Sequence, residues 1–130
     1  MLDANVISVM ARDPRGAAAR RARQVGFASI CTSIVVVGEV RYGLLLKASR
    51  ELDASVEPIL AALDVEPLGP SVSAYYAEVR SDLKRRGTPV GANDLWIAAH
   101  ALALDCTLVT ANNDEFVRVV GLQLDDWQRA

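Results

Sequence analysis

The stretch Asn93–Thr110 reads NDLWIAAHALALDCTLVT and decides the fold. Residues 93–104 are strongly apolar and predict a buried helix, whereas 107–110 form a short apolar run of strand length beside turn residues. A helix that leads directly into a buried strand is typical of α/β proteins. Similar short apolar runs elsewhere predict four more strands, at Met1–Asp3, Phe27–Cys31, Val65–Leu68 and Leu122–Leu124.

Helical patterns separate these predicted strands. Shorter helices are predicted over residues 5–10, 14–25 and 51–63. Ser33 is a suitable N-cap for a long helix that runs to about Ala48, and Gly69-Pro70 opens another helix that ends at Gly87. Parallel strands need such crossover connections. The sequence therefore predicts an α/β/α sandwich, in which helices cover both faces of a short-stranded parallel sheet.

Composition restricts the class of protein further. The 130 residues suffice for a single domain over 1–130, and the net charge of −2 with 52% hydrophobic residues excludes intrinsic disorder. The chain has no apolar run of the roughly 20 residues that a membrane helix needs, and no signal-peptide pattern, so we expect a cytoplasmic protein without membrane contact. Cys31 and Cys106 lack zinc-site spacing, and we expect both to be reduced core thiols.

Three carboxylates stand out because apolar sequence surrounds them. Asp3 ends the first strand, Glu39 interrupts the run Val35–Val40, and Asp94 opens the apolar helix. Each has an ordinary explanation: a helix cap for Asp3, an ion pair with Arg41 or Arg80 for Glu39, and a favourable helix dipole for Asp94.

Together these acids predict a different arrangement, since all three can meet at the carboxyl edge of a parallel sheet, where ligands bind in α/β proteins. Three like charges at one place require a cation to remain ionised. Oxygen ligands without His or Cys favour Mg²⁺ or Mn²⁺ over zinc. Such an ion can hold a phosphodiester and activate a water for in-line attack.

A fourth polar group follows the strand 107–110. The segment Thr110–Phe116 contains Asn112, Asp114 and Glu115 and begins at another strand's carboxyl end. A turn and helix cap explain it equally well. The lone histidine, His100, lies in an alanine- and leucine-rich helix, and we expect it to pack in the interior rather than act as a general base.

At this point the chain resembles a known family, the PIN-domain ribonucleases, and within it the VapC-type toxins of bacterial toxin–antitoxin pairs. Four blocks in the family's order and spacing carry the resemblance: Leu2–Ser8, Ser33–Gly43 with Glu39 six residues after Ser33, Asp94–Ala99, and Thr110-x-Asn112 running to Phe116. The closing segment Val119–Trp127 also resembles the last strand of these toxins.

The resemblance implies an α/β/α sandwich and a Mg²⁺- or Mn²⁺-dependent endoribonuclease that forms a homodimer. It also implies a VapB-like antitoxin that occupies the active site, and contact with DNA only through this antitoxin. It assigns metal-ligand roles to Asp3 and Asp94. Glu39 is the third acid, which either binds metal or orients the attacking water, and Asn112 has a catalytic role. Supporting roles, or an alternative fourth ligand, are implied for further residues: Asn5, Ser33, Thr110, Asp114 and Glu115.

Two positions depart from the family pattern. Ala4 stands where the family usually has Thr, which removes a hydroxyl but no charge. Many members have Asp at the position of Asn112, whereas others have Asn there and an acid three residues later, here Glu115. The fourth ligand is therefore left open among Asn112, Asp114 and Glu115.

Two alternatives to a nuclease remain open at this stage. Asp3-x-Asn5 loosely resembles the nucleophile loop of haloacid-dehalogenase-type phosphatases, although these have Asp where Asn5 stands. A catalytically silent module that binds only an antitoxin, and DNA through it, is the other. Clustered basic residues are candidates for RNA contacts or simply solvated helix faces. These candidates are Arg12, Arg15, Lys84, Arg85 and Arg86.

Overall fold

The computed structural model describes residues 1–129. The helices of this part are α1 Ala4–Arg12, α2 Ala17–Val25, α3 Ile34–Lys47, α4 Arg50–Ala62, α5 Ser71–Arg86, α6 Ala92–Ala103 and α7 Asn113–Phe116. Its strands are β1 Cys31–Ser33, β2 Asp64–Glu66, β3 Leu108–Val109 and β4 Leu124–Asp125. Helices and short strands alternate along the chain, as the sequence predicts.

The strands form a parallel sheet whose centre is the residue Leu2. β1 pairs with β2, and β3 pairs with β4, both in parallel. Leu2 forms parallel bridges to Thr32 on one side and Val109 on the other. Its backbone N–H donates to the Cys31 carbonyl at 2.9 Å, and the Asp3 N–H donates to the Val109 carbonyl at 2.9 Å. The strand order is therefore β2, β1, Leu2, β3, β4, and all carboxyl ends face one edge.

The helices bury their apolar residues against this sheet. Leu2, Ile97 and Leu108 are fully buried in one hydrophobic core. α5 packs along α6, whereas α1 contacts α2, α3 and α4. The α/β/α fold class predicted from the sequence is confirmed. Among residues 1–129, no helix has the length and apolar character needed to cross a membrane.

Local capping signals locate the helix ends correctly. The Ser33 hydroxyl accepts a hydrogen bond from the Val35 N–H at 3.1 Å and caps α3, as expected. Gly87 ends α5 with a φ of 68°, a left-handed conformation that glycine adopts without strain. The β-branched run after Ser33 is helical because Val36 and Val37 pack in the core, which outweighs their weak helix propensity.

Some predicted strand boundaries were wrong. Phe27–Ser29 forms a 3₁₀ turn instead of a strand, because the Ser29 and Ile30 N–H groups bond back to Gly26 and Phe27. β2 ends one residue before Pro67, which has no N–H for a sheet ladder. The last strand lies at Leu124–Asp125, two residues beyond its predicted start at Leu122.

The two cysteines also differ from expectation. Both are free thiols, but each is only half-buried rather than part of the core. Both lie at the margin of the sheet. Cys31 is the first residue of β1, and Cys106 lies in the connection between α6 and β3.

Candidate active site

Asp3 lies at the carboxyl edge of the central strand segment and is only 5% exposed. One carboxylate oxygen accepts a hydrogen bond from the Ala4 N–H at 2.8 Å and caps α1. The other accepts from the Thr110 hydroxyl at 2.8 Å. Burial raises the pKa of Asp3 despite these two hydrogen bonds, and the charge of Glu115 raises it further. Asp3 therefore combines the predicted cap with a place at the charged edge.

Glu39 faces the same site from α3. It is half-buried, and its Oε1 atom is buried without a hydrogen-bond partner. Burial raises the pKa of Glu39, and the nearby charge of Asp3 adds to that rise. A carboxylate in this position lacks the compensation that buried charges normally have.

The ion pair considered for Glu39 is absent from the described residues. Arg41 instead pairs with Glu57 at 2.7 Å, and the Arg80 guanidinium donates to the Tyr76 hydroxyl at 2.8 Å. The Glu39 carboxylate is therefore free to face the other acids.

Asp94 lies in the first turn of α6 and is the most strongly perturbed acid of the site. Burial raises its pKa to about 7, together with a hydrogen bond to Glu115 and the negative charges of Glu115, Asp3 and Glu39. The helix dipole alone would have the opposite effect, because it favours an ionised acid. The fold therefore brings all three acids predicted from the sequence close enough to repel one another.

The loop after β3 adds an amide and a fourth carboxylate. The Asn112 Nδ2 donates to Glu115 Oε2 at 2.9 Å and to Asp94 Oδ2 at 3.4 Å. The Gly91 N–H also donates to Glu115, and these donors hold the pKa of Glu115 below its usual range. Asp114 is exposed to solvent. Among the three alternatives for the fourth position, Asn112 and Glu115 thus contact the site.

The predicted supporting residues have different surroundings. The Thr110 hydroxyl donates to Asp3 and accepts from the Asn112 N–H at 3.0 Å, so it joins the central strand to the last loop. Asn5 is half-buried, and its Oδ1 atom has no partner. Ser33 is fully buried, but its side chain caps α3 and contacts His100 instead of an acid.

The contact between Ser33 and His100 was not predicted. The Ser33 Oγ lies 2.7 Å from His100 Nδ1, and both residues are fully buried. Burial lowers the pKa of His100, which favours the neutral ring. This polar contact joins the start of α3 to α6, the helices that carry Glu39 and Asp94. The two residues are 67 positions apart, so no local pattern identifies the pair.

The donor set fits a hard divalent cation. Among residues 1–129, no group of three or more His, Cys, Asp or Glu side chains is placed so that it could hold a metal ion as it stands. Two buried acceptor atoms, Glu39 Oε1 and Asn5 Oδ1, nevertheless lack partners, and both residues line a pocket of about 130 Å³. Unpaired oxygen acceptors beside mutually repelling carboxylates are a suitable environment for such an ion.

The candidate RNA-binding residues do not form one surface. Arg12 lines the same pocket as Glu39. Arg15 is exposed, and Lys84 lines a separate pocket of about 450 Å³ between α5 and α6. Arg85 contacts Ser81 of its own helix. Arg86 contacts Asp82 of the same helix and also donates to the Arg118 carbonyl.

A parallel α/β/α fold with clustered carboxylates at its carboxyl edge suits metal-dependent cleavage of phosphodiester bonds, because such acids can hold a cation that binds the phosphate. The family model for the PIN domain matches residues 1–122. The chain therefore belongs to the PIN-domain family, as the sequence motifs predict. PIN-domain nucleases generally use divalent metal ions. Membership also excludes the phosphatase alternative.

Known relatives are closely similar over most of their length. The chain is 35% identical to ribonuclease VapC2 of Rickettsia felis over 102 residues, which are 78% of this chain and 76% of the relative. It is 33% identical to ribonuclease VapC1 of Haemophilus influenzae strain R2866, covering 99% and 98%. It also matches a solved structure of VapBC2 from Rickettsia felis bound to a promoter DNA fragment, with a TM-score of 0.87, 29% identity and coverage of 98% and 97%.

Proposed function

We propose that this chain is an endoribonuclease that depends on Mg²⁺ or Mn²⁺ and acts as the toxin of a VapBC-type toxin–antitoxin pair. The observation that carries the proposal is the convergence of Asp3, Glu39 and Asp94, whose pKa values are all raised at one edge of the sheet. This arrangement costs free energy in the absence of a cation, and a bound ion would remove that cost.

Asp3, Glu39 and Asp94 would hold the ion, with Asn112 and Glu115 completing its surroundings. The all-oxygen donor set is the reason for choosing Mg²⁺ or Mn²⁺. When bound, such an ion supplies a water of lowered pKa and neutralises charge on the phosphodiester.

The protein's own groups prepare this chemistry. The hydroxyl of Thr110 and the N–H of Ala4 fix both oxygens of Asp3, so this carboxylate keeps one orientation. Asn112 and the Gly91 N–H keep Glu115 ionised. Without a cation, burial and the neighbouring acids raise the pKa of Asp94 to about 7, and a bound ion would favour its ionised form.

The partners follow from the relatives. The curated relatives are named ribonucleases, and the matching structure holds VapBC2 on DNA. We therefore propose RNA as the substrate, a VapB-like antitoxin as the protein partner, a homodimer as the assembly, and DNA contact only through the antitoxin. RNA as substrate also supports a cytoplasmic location. Arg12 is the basic candidate best placed to contact RNA near the acids, because it lines the pocket of Glu39.

The central test is RNA cleavage by the purified chain free of antitoxin, with Mg²⁺ or Mn²⁺. We expect EDTA to abolish cleavage and Asp94→Asn to reduce it by about 100-fold or more, since the variant removes a charge that the ion requires. Asp53→Asn is the matched control, because Asp53 is exposed on α4. Cleavage that persists in EDTA and in Asp94→Asn would contradict the mechanism and leave the silent binding module as the alternative.

Thermal unfolding separates metal binding from catalysis. At an ion concentration about 100 times the dissociation constant, binding stabilises the fold by about 2.7 kcal/mol. We expect Mg²⁺ or Mn²⁺ to raise the Tm of the wild type and of Asp53→Asn, and to have much less effect on Asp94→Asn. An equal rise in all three proteins would place the ion elsewhere.

A further inference from the structure

The amino-terminal edge of the sheet carries two thiols that the proposed nuclease function does not use. Cys31 begins β1, and Cys106 lies just before β3. These strands flank Leu2 in the sheet, so the cysteines meet across the central segment although 75 positions separate them. The candidate acids lie at the opposite edge, at the carboxyl ends of the same strands.

The two sulfur atoms are already close. Cys31 Sγ and Cys106 Sγ are 3.9 Å apart. An approach of roughly 1.9 Å would bring them to the disulfide bond length of about 2.05 Å. Both side chains are half-buried and line a pocket of about 300 Å³, through which a small oxidant can reach them.

The backbone surroundings of the two cysteines differ. The Cys31 carbonyl is held in the sheet by the Leu2 N–H. Cys106 lies in a turn after Asp105, whose φ of 53° reverses the chain at the end of α6, and its N–H bonds to the Ala101 carbonyl. Closing the remaining gap requires rotation of the side chains and a shift of this turn.

We propose that Cys31 and Cys106 form a reversible oxidation site, at which hydrogen peroxide converts the two thiols to an intramolecular disulfide. Disulfides are rare in cytosolic proteins, and those that do occur are usually transient and catalytic or redox-sensing, a use that a half-exposed thiol pair fits. The proposal does not depend on the nuclease function, because none of the candidate acids takes part.

Oxidation of the two thiols proceeds in two steps. One thiol loses its proton, and the resulting thiolate attacks an oxygen of the peroxide; the O–O bond breaks, giving a sulfenic acid and hydroxide, which takes up the released proton to form water. The second sulfur then attacks the sulfenic sulfur, the S–O bond breaks, and the leaving hydroxide takes the second thiol's proton as water. In total two thiols lose two electrons and two protons, and one peroxide becomes two waters.

The disulfide would join two distant parts of the chain. It closes a loop that contains both α3 and α6, the helices of Glu39 and Asp94. Closing a long loop restricts the unfolded chain more than the folded one. The oxidised protein should therefore resist heat better than the reduced protein, while the acidic edge is chemically unchanged.

The test uses the full chain, first reduced and then treated with hydrogen peroxide, followed by peptide mapping by mass spectrometry and thermal unfolding. We expect a peptide that links Cys31 to Cys106, a mass lower by two hydrogen atoms, and a Tm higher by roughly 5–10 °C. Dithiothreitol should reverse all three changes. Two free thiols after treatment, oxygen added to each cysteine separately, or links only between two chains would overturn the proposal.

Cys31→Ser and Cys106→Ser are the matched control variants. Each retains one thiol at the same edge, so peroxide should leave its Tm without the rise seen in the wild type. A rise of the same size in either variant would contradict the proposal. RNA cleavage measured in parallel should be retained by both variants, which keeps a failure of this proposal distinct from a failure of the nuclease assignment.

Discussion

Leu2 and Asp3 are neighbours in the chain but belong to regions of opposite physical character. Leu2 is fully buried at the centre of the sheet, and its backbone is paired with strands on both sides. Asp3 begins the carboxyl edge, where carboxylates repel one another and Glu39 Oε1 has no partner. The buried centre of the sheet stabilises the fold. At the carboxyl edge, one residue further along the chain, repulsion between the acids costs free energy as long as no cation is bound.

The centre of the sheet and its carboxyl edge therefore differ in their capacity to bind a ligand. The centre satisfies its hydrogen bonds internally and excludes water, so it has nothing to offer a ligand. The carboxyl edge keeps unsatisfied acceptors and acids of raised pKa, which is the pattern expected of a functional site. Truncating Leu2 at the centre and neutralising the uncompensated Glu39 at the edge should therefore affect metal-free stability differently.

The largest stability effect is expected at the centre. Leu2→Ala should lower the free energy of unfolding by about 3 kcal/mol, because it removes buried contacts and leaves a cavity. Glu39→Gln should instead leave metal-free stability equal or higher, because it removes a poorly compensated charge. Urea unfolding in EDTA measures both. The comparison fails if Glu39→Gln destabilises the protein as much as Leu2→Ala.

A smaller effect is expected from pH. The pKa of Asp94 is higher in the folded state than in the unfolded state, so the folded protein binds more protons and its stability falls as pH rises towards 7. His100, whose pKa is lowered, contributes the opposite slope over part of this range. Because His100 is present in both proteins, its contribution cancels in the difference between wild type and Asp94→Asn, which reports Asp94 together with its interaction with Glu115.

Between pH 5 and 7 in EDTA, the wild type should lose about 1–2 kcal/mol relative to Asp94→Asn, allowing for solvent screening of a half-buried group. Denaturant unfolding at several pH values gives this difference. Parallel pH curves for the two proteins would show that Asp94 titrates normally. Saturating Mg²⁺ should reduce the difference, since the ion favours the ionised acid.

The smallest expected effect is on RNA binding, and it compares a basic residue near the acidic edge with one far from it. Arg12 lines the pocket of Glu39, whereas the guanidinium of Arg86 is paired with Asp82 at 2.6 Å. Arg12→Ala should weaken RNA binding a few-fold and lower the salt-dependence slope by about 1. Arg86→Ala should have less effect on both quantities. Equal losses would mean that RNA does not distinguish the two positions.

Local chemistry explains which features could be predicted from the sequence. Ser33 and Gly87 mark helix ends because capping depends on adjacent residues. Strand boundaries were less accurate, since a strand of two or three residues is defined by its partners rather than by its own pattern. The shift of the strand from Phe27–Cys31 to Cys31–Ser33 is one example.

The same distinction applies to the candidate site. Asp3, Glu39 and Asp94 could be identified because a charged residue in apolar sequence needs an explanation. The choice of Asn112 and Glu115 over Asp114 depends on side-chain directions in the last loop, which no sequence pattern gives. The contacts of His100 with Ser33 and of Cys31 with Cys106 join distant segments and required the structure.

The double role of Asp3 has a practical consequence for the choice of an inactive variant of the protein. Its carboxylate caps α1 and anchors Thr110, so Asp3→Ala would forfeit about 1 kcal/mol of helix capping and leave a buried hydroxyl without its acceptor. Lost RNA cleavage by that variant would reflect poor folding as readily as lost chemistry. Asp94→Asn is the better choice for expressing and crystallising an inactive protein.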